Sequence, residues 1–451
     1  MSEPIAAIAT PAGRGGIGIV RVSGLNLDAI IDGIVGKPLE PREATFGVFR
    51  DATGALIDQG LAILFAAPAS YTGETVLELH AHGSPVALRM LVARCVELGA
   101  RLAEPGEFTR RAFLNGKLDL AQAESVADLI EAATATAARA AVRSLAGEFS
   151  REVHAIVAEL TTLRMLTEAS LDFPEEDIEF VRAADAAGRL ETLGRRLESV
   201  LTRAKTGVRL SEGLTVVLIG RPNVGKSSLL NRLAHEDAAI VTPIAGTTRD
   251  TVERPVELAG IPLTVVDTAG LRESDDAVER IGIERTRAAI ERADVALVLV
   301  DARDREGVLD TDDAAILSRL PSGLRTIVVH NKIDLAGFAA RVDARDRQTH
   351  VWLSALTGDG MPLLERAVLT LADADPAGEN TFIARERHLV ALREAQRHVA
   401  EAGVHLAEQS PPLELFAEAL REAQRALSQV TGEFTADDLL GVIFARFCIG
   451  K

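Results

Sequence analysis

The first 118 residues carry short apolar runs of the kind that form β-strands. Turns rich in Gly, Pro and Asp, such as 51–54, separate these runs, and a helical pattern near 85–98 interrupts them. The three clearest runs are IGIVRV at 17–22, LAILF at 61–65 and TVLELH at 75–80. The pattern predicts an α+β domain over 1–118.

The spacing of apolar residues becomes helical at Leu118. It keeps that period over many turns without a proline until Pro174, and a second helical stretch fills 183–205. Towards the C-terminal end the chain returns to helical sequence rich in Ala, Glu and Arg. We therefore expect one all-α domain built from two separate pieces, 119–210 and 376–451.

Between these two pieces, strand-like and helix-like patterns alternate. LTVVLIG at 214–220 is a buried-strand pattern, and a glycine-rich turn and a helix follow it. Further strand-like runs lie at 263–267, 295–301, 326–332 and 350–355. Such alternation specifies a parallel sheet covered by helices on both faces. The sequence therefore predicts an α/β domain at 211–375, inserted into the helical domain.

Composition narrows the setting in which the chain works. Its 451 residues predict two to four domains, and its two cysteines cannot form a disulfide framework. No run of roughly 18 uncharged apolar residues is present, and the start lacks the pattern of a signal peptide. We expect a cytoplasmic protein without a membrane partner. The net charge of −17 argues against broad, non-specific nucleic-acid binding.

A phosphate-loop pattern follows the strand at 214–220. It runs from Gly220 to Ser227, in the strand–loop–helix context that such a loop requires. Backbone amides and the helix N-terminus would form an anion cradle, Lys226 would reach the β- and γ-phosphates, and Ser227 would hold Mg²⁺. The predicted nucleotide contacts in this loop are Asn223, Val224, Gly225, Lys226, Ser227 and Ser228.

Four further short motifs follow in the order typical of GTPases. Asp267 ends a strand and would reach Mg²⁺ through water, Thr248 would be the second hydroxyl ligand of Mg²⁺, and the carboxylate of Asp334 would select guanine over adenine. The predicted contacts with GTP in these motifs are Thr242, Thr247, Thr248, Asp267, Thr268, Ala269, Gly270, Asn331, Lys332, Asp334, Ser354 and Ala355. Together with the phosphate loop they predict an α/β P-loop (Ras-like) GTPase domain.

The residues that catalyse hydrolysis are less evident from spacing. Many GTPases place Gln directly after the Asp-Thr-Ala-Gly element, where this chain has Leu271. Polar candidates to orient water are Glu273, Asp275, Asp276 and Glu279. A cation must also offset charge on the transferred phosphoryl group. Arg249, Arg272 and a monovalent ion all remain open on this reasoning.

The chain resembles the bacterial and organellar tRNA-modification GTPases of the MnmE (TrmE) family. The resemblance runs from end to end, through ATPAGRGGIGIVRVSG near the start, PGEFTRRAFLNGKLDLAQAE at 105–124, the GTPase motifs and TGEFTADDLLGVIFARFCIGK at the C-terminus. It implies a homodimer with an N-terminal folate-binding and dimerisation domain. It also implies that the chain acts with the flavoprotein MnmG (GidA) on the wobble uridine of certain tRNAs, using a one-carbon unit from 5-formyl- or methylene-tetrahydrofolate.

Matching positions carry further roles over from the family. The resemblance implies that Glu279 orients the attacking water and that Lys226 is catalytic. It implies a K⁺ site of Asn223, Thr242, Ile244 and Thr247. It implies folate contacts at Arg21, Glu78, Lys117 and Lys451. Cys448, near the implied folate site, has either a chemical role or the commoner role of a buried, small hydrophobic residue.

Two other functions fit parts of the pattern. A GTP-switched ribosome-assembly or RNA-binding factor would need no modification chemistry, but such factors usually carry basic RNA-binding domains. A folate enzyme acting alone is disfavoured because the chain has no flavin or dinucleotide fingerprint. The leading prediction is a K⁺-stimulated, Mg²⁺-dependent GTPase of tRNA modification.

Overall fold

The structure is a computed structural model that divides into two compact units. The first comprises Met1–Ala127 and Leu427–Lys451, and the second Asp128–Ala426. The structure describes residues 3–172, 185–236, 253–267, 288–303, 310–345, 348–372, 381–433, 443–445, 447, 448 and 450. The predicted domain boundaries at 118, 210 and 375 remain a proposal.

A six-stranded sheet forms the centre of the first unit, in the order β3-β4-β5-β2-β1-β6. Neighbouring strands are antiparallel except for β1 and β6, which are parallel. The strands are β1 Ile5–Ile8, β2 Gly15–Gly24, β3 Thr45–Arg50, β4 Leu56–Phe65, β5 Thr75–Gly83 and β6 Arg101–Leu102. All three predicted strand runs are confirmed as parts of β2, β4 and β5.

Two helices, α1 Asp28–Ile34 and α2 Pro85–Glu97, cover one face of this sheet. Leu77 and Leu79 of β5 are fully buried in a core that includes Leu88 and Leu91. The intervening residues of β5 alternate to the other face, as strand geometry requires. Two further helices follow: α3 Glu107–Leu114, whose Phe108 packs with Ile5 and Ala7 of β1 in a separate core, and α4 Leu120–Glu131. A smaller core joins Leu120 to Phe444 and Phe447 near the C-terminus.

A seven-stranded sheet forms the centre of the second unit, in the order β12-β13-β11-β10-β7-β9-β8. The five inner strands are parallel, as predicted, but both edge strands pair antiparallel with their neighbours. The strands are β7 Leu214–Gly220, β8 Glu253–Leu258, β9 Ile261–Asp267, β10 Val295–Asp301, β11 Arg325–Asn331, β12 Arg341–Arg345 and β13 Gln348–Trp352.

The long helical run that follows Leu118 is three helices rather than one. The run breaks before Thr134, whose side chain accepts a hydrogen bond from the Ala137 amide as the N-cap of the next helix, and again at Gly147. The remaining helices are α5 Ala135–Leu145, α6 Glu148–Asp172, α7 Ala186–Glu212, α8 Lys226–Glu236, α9 Thr311–Ser318, α10 Ile333–Ala336, α11 Met361–Leu371, α12 Glu386–Leu406 and α13 Leu413–Thr431.

Helix α5 shares one core with the sheet of the second unit. Ala140 and Ala141 are fully buried there together with Leu214 of β7 and Leu263 of β9. Small side chains allow the helix to approach the strands closely. In the part of the chain that the structure describes, no helix combines the length and the apolar composition needed to cross a membrane.

Candidate functional site

The predicted phosphate loop lies between β7 and α8. Gly225 has a φ of +101°, and a Cβ added there would come within 2.2 Å of the Asn331 Nδ2. Gly220 is equally constrained, since an added Cβ would lie 2.5 Å from the carbonyl oxygen of Leu299 in β10. Both positions therefore require glycine, because neighbouring backbone and side-chain atoms occupy the space of a side chain.

Lys226 stands at the N-terminus of α8 and reaches back over the loop. Its Nζ donates to the carbonyl oxygens of Gly220 at 2.6 Å and Arg221 at 3.0 Å. The adjacent Ser227 and Ser228 are exposed. A helix N-terminus with a fixed ammonium group favours an anion in front of it. This arrangement suits a phosphate chain.

Asn331, the last residue of β11, connects the loop to the predicted base-binding motif. It is 2% exposed, and its Nδ2 donates to the Val224 carbonyl at 2.8 Å. Its Oδ1 accepts from the backbone amides of Lys332 at 2.8 Å and Ala355 at 2.9 Å. One buried amide side chain thus brings together three of the predicted sequence motifs.

Lys332 adds a second connection to the loop. Its Nζ donates to the carbonyl oxygen of Asn223 at 2.6 Å and to Oδ2 of Asp301 at 2.7 Å. Asp301 also binds Arg303. The hydrogen bond from Arg303, together with that from Lys332, outweighs burial and holds the pKa of Asp301 well below its usual range. Asp301 is therefore ionised, and its carboxylate holds the ammonium group of Lys332 in place.

Asp301 is a site residue that the motif pattern did not reveal. It ends β10 and pairs in register with Asn331 at the end of β11. Side chains at the carboxyl ends of parallel strands meet at one edge of the sheet, where ligands bind in open α/β folds. A carboxylate at the end of a buried apolar run was the available sequence signal.

The remaining residues predicted to bind the base lie on short segments after β11 and β13. Asp334 is exposed on α10, and Ser354 is fully buried. The Ser354 Oγ accepts from the Thr357 amide at 3.2 Å, so the segment folds back as a turn. The structure brings the Ala355 amide to Oδ1 of Asn331.

Asp267 is the residue predicted to reach Mg²⁺ through water. It is the last residue of β9 and pairs in register with Leu218 of β7, two residues before Gly220. Its backbone therefore lies at the edge of the sheet from which the phosphate loop leaves β7. The predicted and candidate residues outside the described ones are Thr242, Ile244, Thr247, Thr248, Arg249, Thr268, Ala269, Gly270, Arg272, Glu273, Asp275, Asp276, Glu279 and Lys451.

Two of the residues implied to contact folate are in direct contact in the first unit. Arg21 Nε and Nη2 donate to Oε1 of Glu78 at 3.0 and 2.9 Å, and the Arg21 guanidinium lies 5.7 Å from the centre of the Tyr71 ring. Lys117 Nζ donates to the carbonyl of Pro68 at 3.1 Å. A paired guanidinium and carboxylate beside an aromatic ring can bind a planar heterocycle.

The two cysteines have opposite environments. Cys448 is exposed, so the expectation that it is a buried hydrophobic residue was wrong. The reason is its position in an irregular segment after the short apolar core around Phe447, not within it. Cys95 on α2 is the buried cysteine, and burial raises the pKa of its thiol to about 12.

The shared hydrogen bonds of the phosphate loop and the Asn331 motif define the second unit as a P-loop GTPase. A family model described as the MnmE helical domain matches residues 120–448, and one described as the GTP-binding protein TrmE N-terminus matches 4–117. The chain therefore belongs to the MnmE family of tRNA modification GTPases. The multidomain fold class predicted from the sequence is confirmed.

Full-length relatives agree with this assignment. The tRNA modification GTPase MnmE of Ralstonia nicotianae is 58% identical over 459 residues, which cover 99% of this chain and 96% of the relative. The protein of that name from Dechloromonas aromatica is 59% identical, with 100% of both chains covered. The solved structure of Aquifex aeolicus Era bound to GDP and AlF4⁻ is 27% identical, covers 44% of this chain and 69% of that chain, and has a TM-score of only 0.28.

Proposed function

We propose that the chain hydrolyses GTP, with stimulation by K⁺, in the modification of the wobble uridine of certain tRNAs. The observation that carries the GTPase part is the position of Asn331, which contacts Val224 of the phosphate loop and Ala355 of the predicted base loop. Turnover of GTP against ATP tests it. Equal turnover of the two nucleotides, or full activity in Lys226→Ala, would contradict the proposal.

Each part of the nucleotide has a proposed partner. Lys226 and the amides at the start of α8 bind the β- and γ-phosphates, and Asp334 accepts hydrogen bonds from the ring N–H and exocyclic amine of guanine. Ser227 and Thr248 hold Mg²⁺, which neutralises charge on the phosphates. Adenine lacks the donors that Asp334 requires, so its nucleotide forgoes both of these hydrogen bonds.

Hydrolysis itself is assigned to Glu279, which orients the attacking water. K⁺ replaces the charge of an arginine finger, held by Asn223 with oxygens from Thr242, Ile244 and Thr247. In support, Asn223 is exposed in the loop with a φ of +63°, and Lys332 holds its backbone carbonyl. The Asn223 side chain is therefore presented on a fixed backbone.

Potassium dependence can be measured in KCl and NaCl at equal ionic strength. The informative variant is Asn223→Gly, because glycine adopts a positive φ without strain while losing the side-chain oxygen. We expect faster turnover of the unaltered protein in KCl, and a loss of that difference in the variant with GDP binding retained. Equal turnover in both salts would overturn the K⁺ assignment.

The first unit is proposed to bind a tetrahydrofolate derivative through Arg21, Glu78, Lys117 and Lys451. The support is the contact between Arg21 and Glu78 beside Tyr71. Equilibrium binding of 5-formyltetrahydrofolate to Arg21→Met and to a chain lacking Lys451 tests this, with Arg50→Met as the surface control. A ribosome-assembly factor would bind GTP but not the folate.

The remaining parts of the proposal concern assembly. The chain forms a homodimer in the cytoplasm and combines with the flavoprotein MnmG (GidA), which supplies the redox chemistry, to act on tRNA. Family membership supports these partners. Analytical ultracentrifugation of the chain alone and with the flavoprotein tests them: a monomer, or no joint complex, would contradict the proposed assembly.

A further inference from the structure

Arg232 lies towards the C-terminal end of the helix that begins with Lys226, and it binds the loop that follows β13. It lies on α8, six residues after Lys226, which is about 9 Å along the helix axis. Its Nε donates to the carbonyl oxygen of Ala355 at 3.2 Å, and its Nη2 donates to the carbonyl oxygen of Leu356. None of the expected nucleotide contacts includes this arginine.

Hydrogen bonds consequently hold both the backbone amide and the backbone carbonyl of Ala355. Asn331 Oδ1 accepts from the Ala355 amide, and Arg232 donates to the Ala355 carbonyl. The next residue, Leu356, is 74% exposed, so apolar packing does not anchor the loop there. Further hydrogen bonds of this segment, such as Gly358 N to Ser354 O at 2.9 Å, lie within the turn. They shape the turn itself.

We propose that Arg232 is a positioning residue for guanine recognition, an inference that rests on the proposed GTPase function. By binding two successive carbonyl groups, its planar guanidinium fixes the loop of Ser354 and Ala355 relative to Asn331. The same helix begins with Lys226, so the phosphate-binding and base-binding halves of the site are joined by one rigid element. The nucleotide itself does not contact Arg232.

The chemistry of the contact explains why arginine is required. A guanidinium presents several N–H groups in a fixed plane and can donate to two neighbouring carbonyl oxygens at once. A lysine ammonium is a compact charge on a flexible stem and would reach one of them at a time. A methionine keeps most of the apolar length but donates nothing.

The test measures dissociation of a fluorescent N-methylanthraniloyl GDP from the full chain. We expect Arg232→Met to release this GDP about tenfold faster, with Arg232→Lys in between, since loss of a loop contact acts mainly on the dissociation rate. The matched control is Arg319→Met, which removes an exposed arginine at the end of α9. The KM for GTP should rise with kcat nearly unchanged.

Inorganic pyrophosphate separates the base from the phosphates. Because Arg232 acts on the base loop, the inhibition constant of Mg-pyrophosphate should be the same in Arg232→Met and the unaltered protein. An unchanged GDP release rate in Arg232→Met would overturn the inference, as would equal weakening of GDP and pyrophosphate. If the unaltered protein bound no guanine nucleotide at all, the proposed function itself would fail.

Discussion

The side-chain Nδ2 of Asn331 donates to the backbone carbonyl of Val224 over 2.8 Å, which joins two segments that are 107 residues apart in the chain. Asn331 also accepts from the Ala355 amide, so one buried side chain contacts both the phosphate loop and the predicted base loop. Its donor and acceptor groups are matched to partners on three segments. The geometry thus links the segment predicted to bind phosphate to the segments predicted to bind the base.

Replacement of Asn331 by alanine removes its hydrogen bonds with Val224, Lys332 and Ala355. Each unpaired buried group costs about 1–3 kcal/mol, and we expect GDP affinity to fall by roughly 10- to 100-fold. Isothermal titration calorimetry with GDP measures the loss. Asn331→Asp is the sharper variant, because it keeps the acceptor for Ala355 but cannot donate to Val224. Unchanged GDP affinity in both variants would contradict a linking role for Asn331.

The strands at the centre of the seven-stranded sheet were predictable because both of their faces are buried. Runs such as 214–220 and 295–301 are almost entirely apolar, and the structure buries β10 throughout. The edge strands escaped prediction for the opposite reason. β8 contains Pro255 and two glutamates, and β12 reads RVDAR. An edge strand does not need two apolar faces, and not all of its N–H groups have to donate to a neighbouring strand.

The helical break before Thr134 was hidden by alanine. The sequence ATATAARAA keeps small residues at every spacing, so periodicity alone continues through the cap. The residue type of an N-cap was present, but residue 137 is Ala rather than the Glu or Gln of a capping box. Arg232 was equally invisible, because its partners are backbone carbonyls more than 120 residues away, which no local pattern records.

Thr134 attaches α5 to the turn of the β8–β9 hairpin. Its Oγ1 donates to the carbonyl of Gly260 at 2.8 Å and accepts from the Ala137 amide at 3.0 Å, in a site where the residue is 6% exposed. We expect Thr134→Val, which loses both hydrogen bonds, to destabilise the second unit by about 2–3 kcal/mol. Thr134→Ser keeps both and should cost less than about 1 kcal/mol.

The chain's single tryptophan makes this measurement specific. Trp352 is fully buried in β13, with the His330 ring 4.2 Å from it and the Arg341 guanidinium 4.1 Å away. Its fluorescence during urea unfolding therefore reports the second unit. Thr134→Asp can still cap α5 but cannot donate to Gly260, so it separates the two hydrogen bonds. Equal urea midpoints for the valine and serine variants would refute the contribution of Thr134.

Glu107 makes the stability of the first unit depend on acid pH. Burial favours its neutral form, but hydrogen bonds from Arg101, the Glu104 amide and Arg111 outweigh burial and lower its pKa to about 2 from 4.5. Because the pKa of Glu107 is lower in the folded protein than in the unfolded chain, the ionised Glu107 carboxylate stabilises the fold above pH 4.5. That contribution is lost as the pH falls from 4.5 to about 2.

A Glu107→Gln variant isolates this contribution. We expect it to be less stable than the unaltered protein by about 1–3 kcal/mol at pH 7, and we expect the difference to shrink as the pH approaches 2. Scanning calorimetry of both proteins at pH 6 and pH 3 measures it. Glu414→Gln, on an exposed turn of α13, is the matched control. A stability difference that did not vary with pH would show that the variant acts through packing rather than through charge.

Exposure of Cys448 and burial of Cys95 predict which thiol reacts in the native protein. Cys448 is exposed, whereas Cys95 has no accessible surface and a pKa raised to about 12, so it has almost no thiolate at neutral pH. A maleimide should therefore modify one cysteine per native chain and both in urea. Peptide mass spectrometry identifies the site, and Cys448→Ser should abolish native labelling. Rapid modification of Cys95 in that variant would mean that the core beneath α2 opens far more readily than its packing indicates.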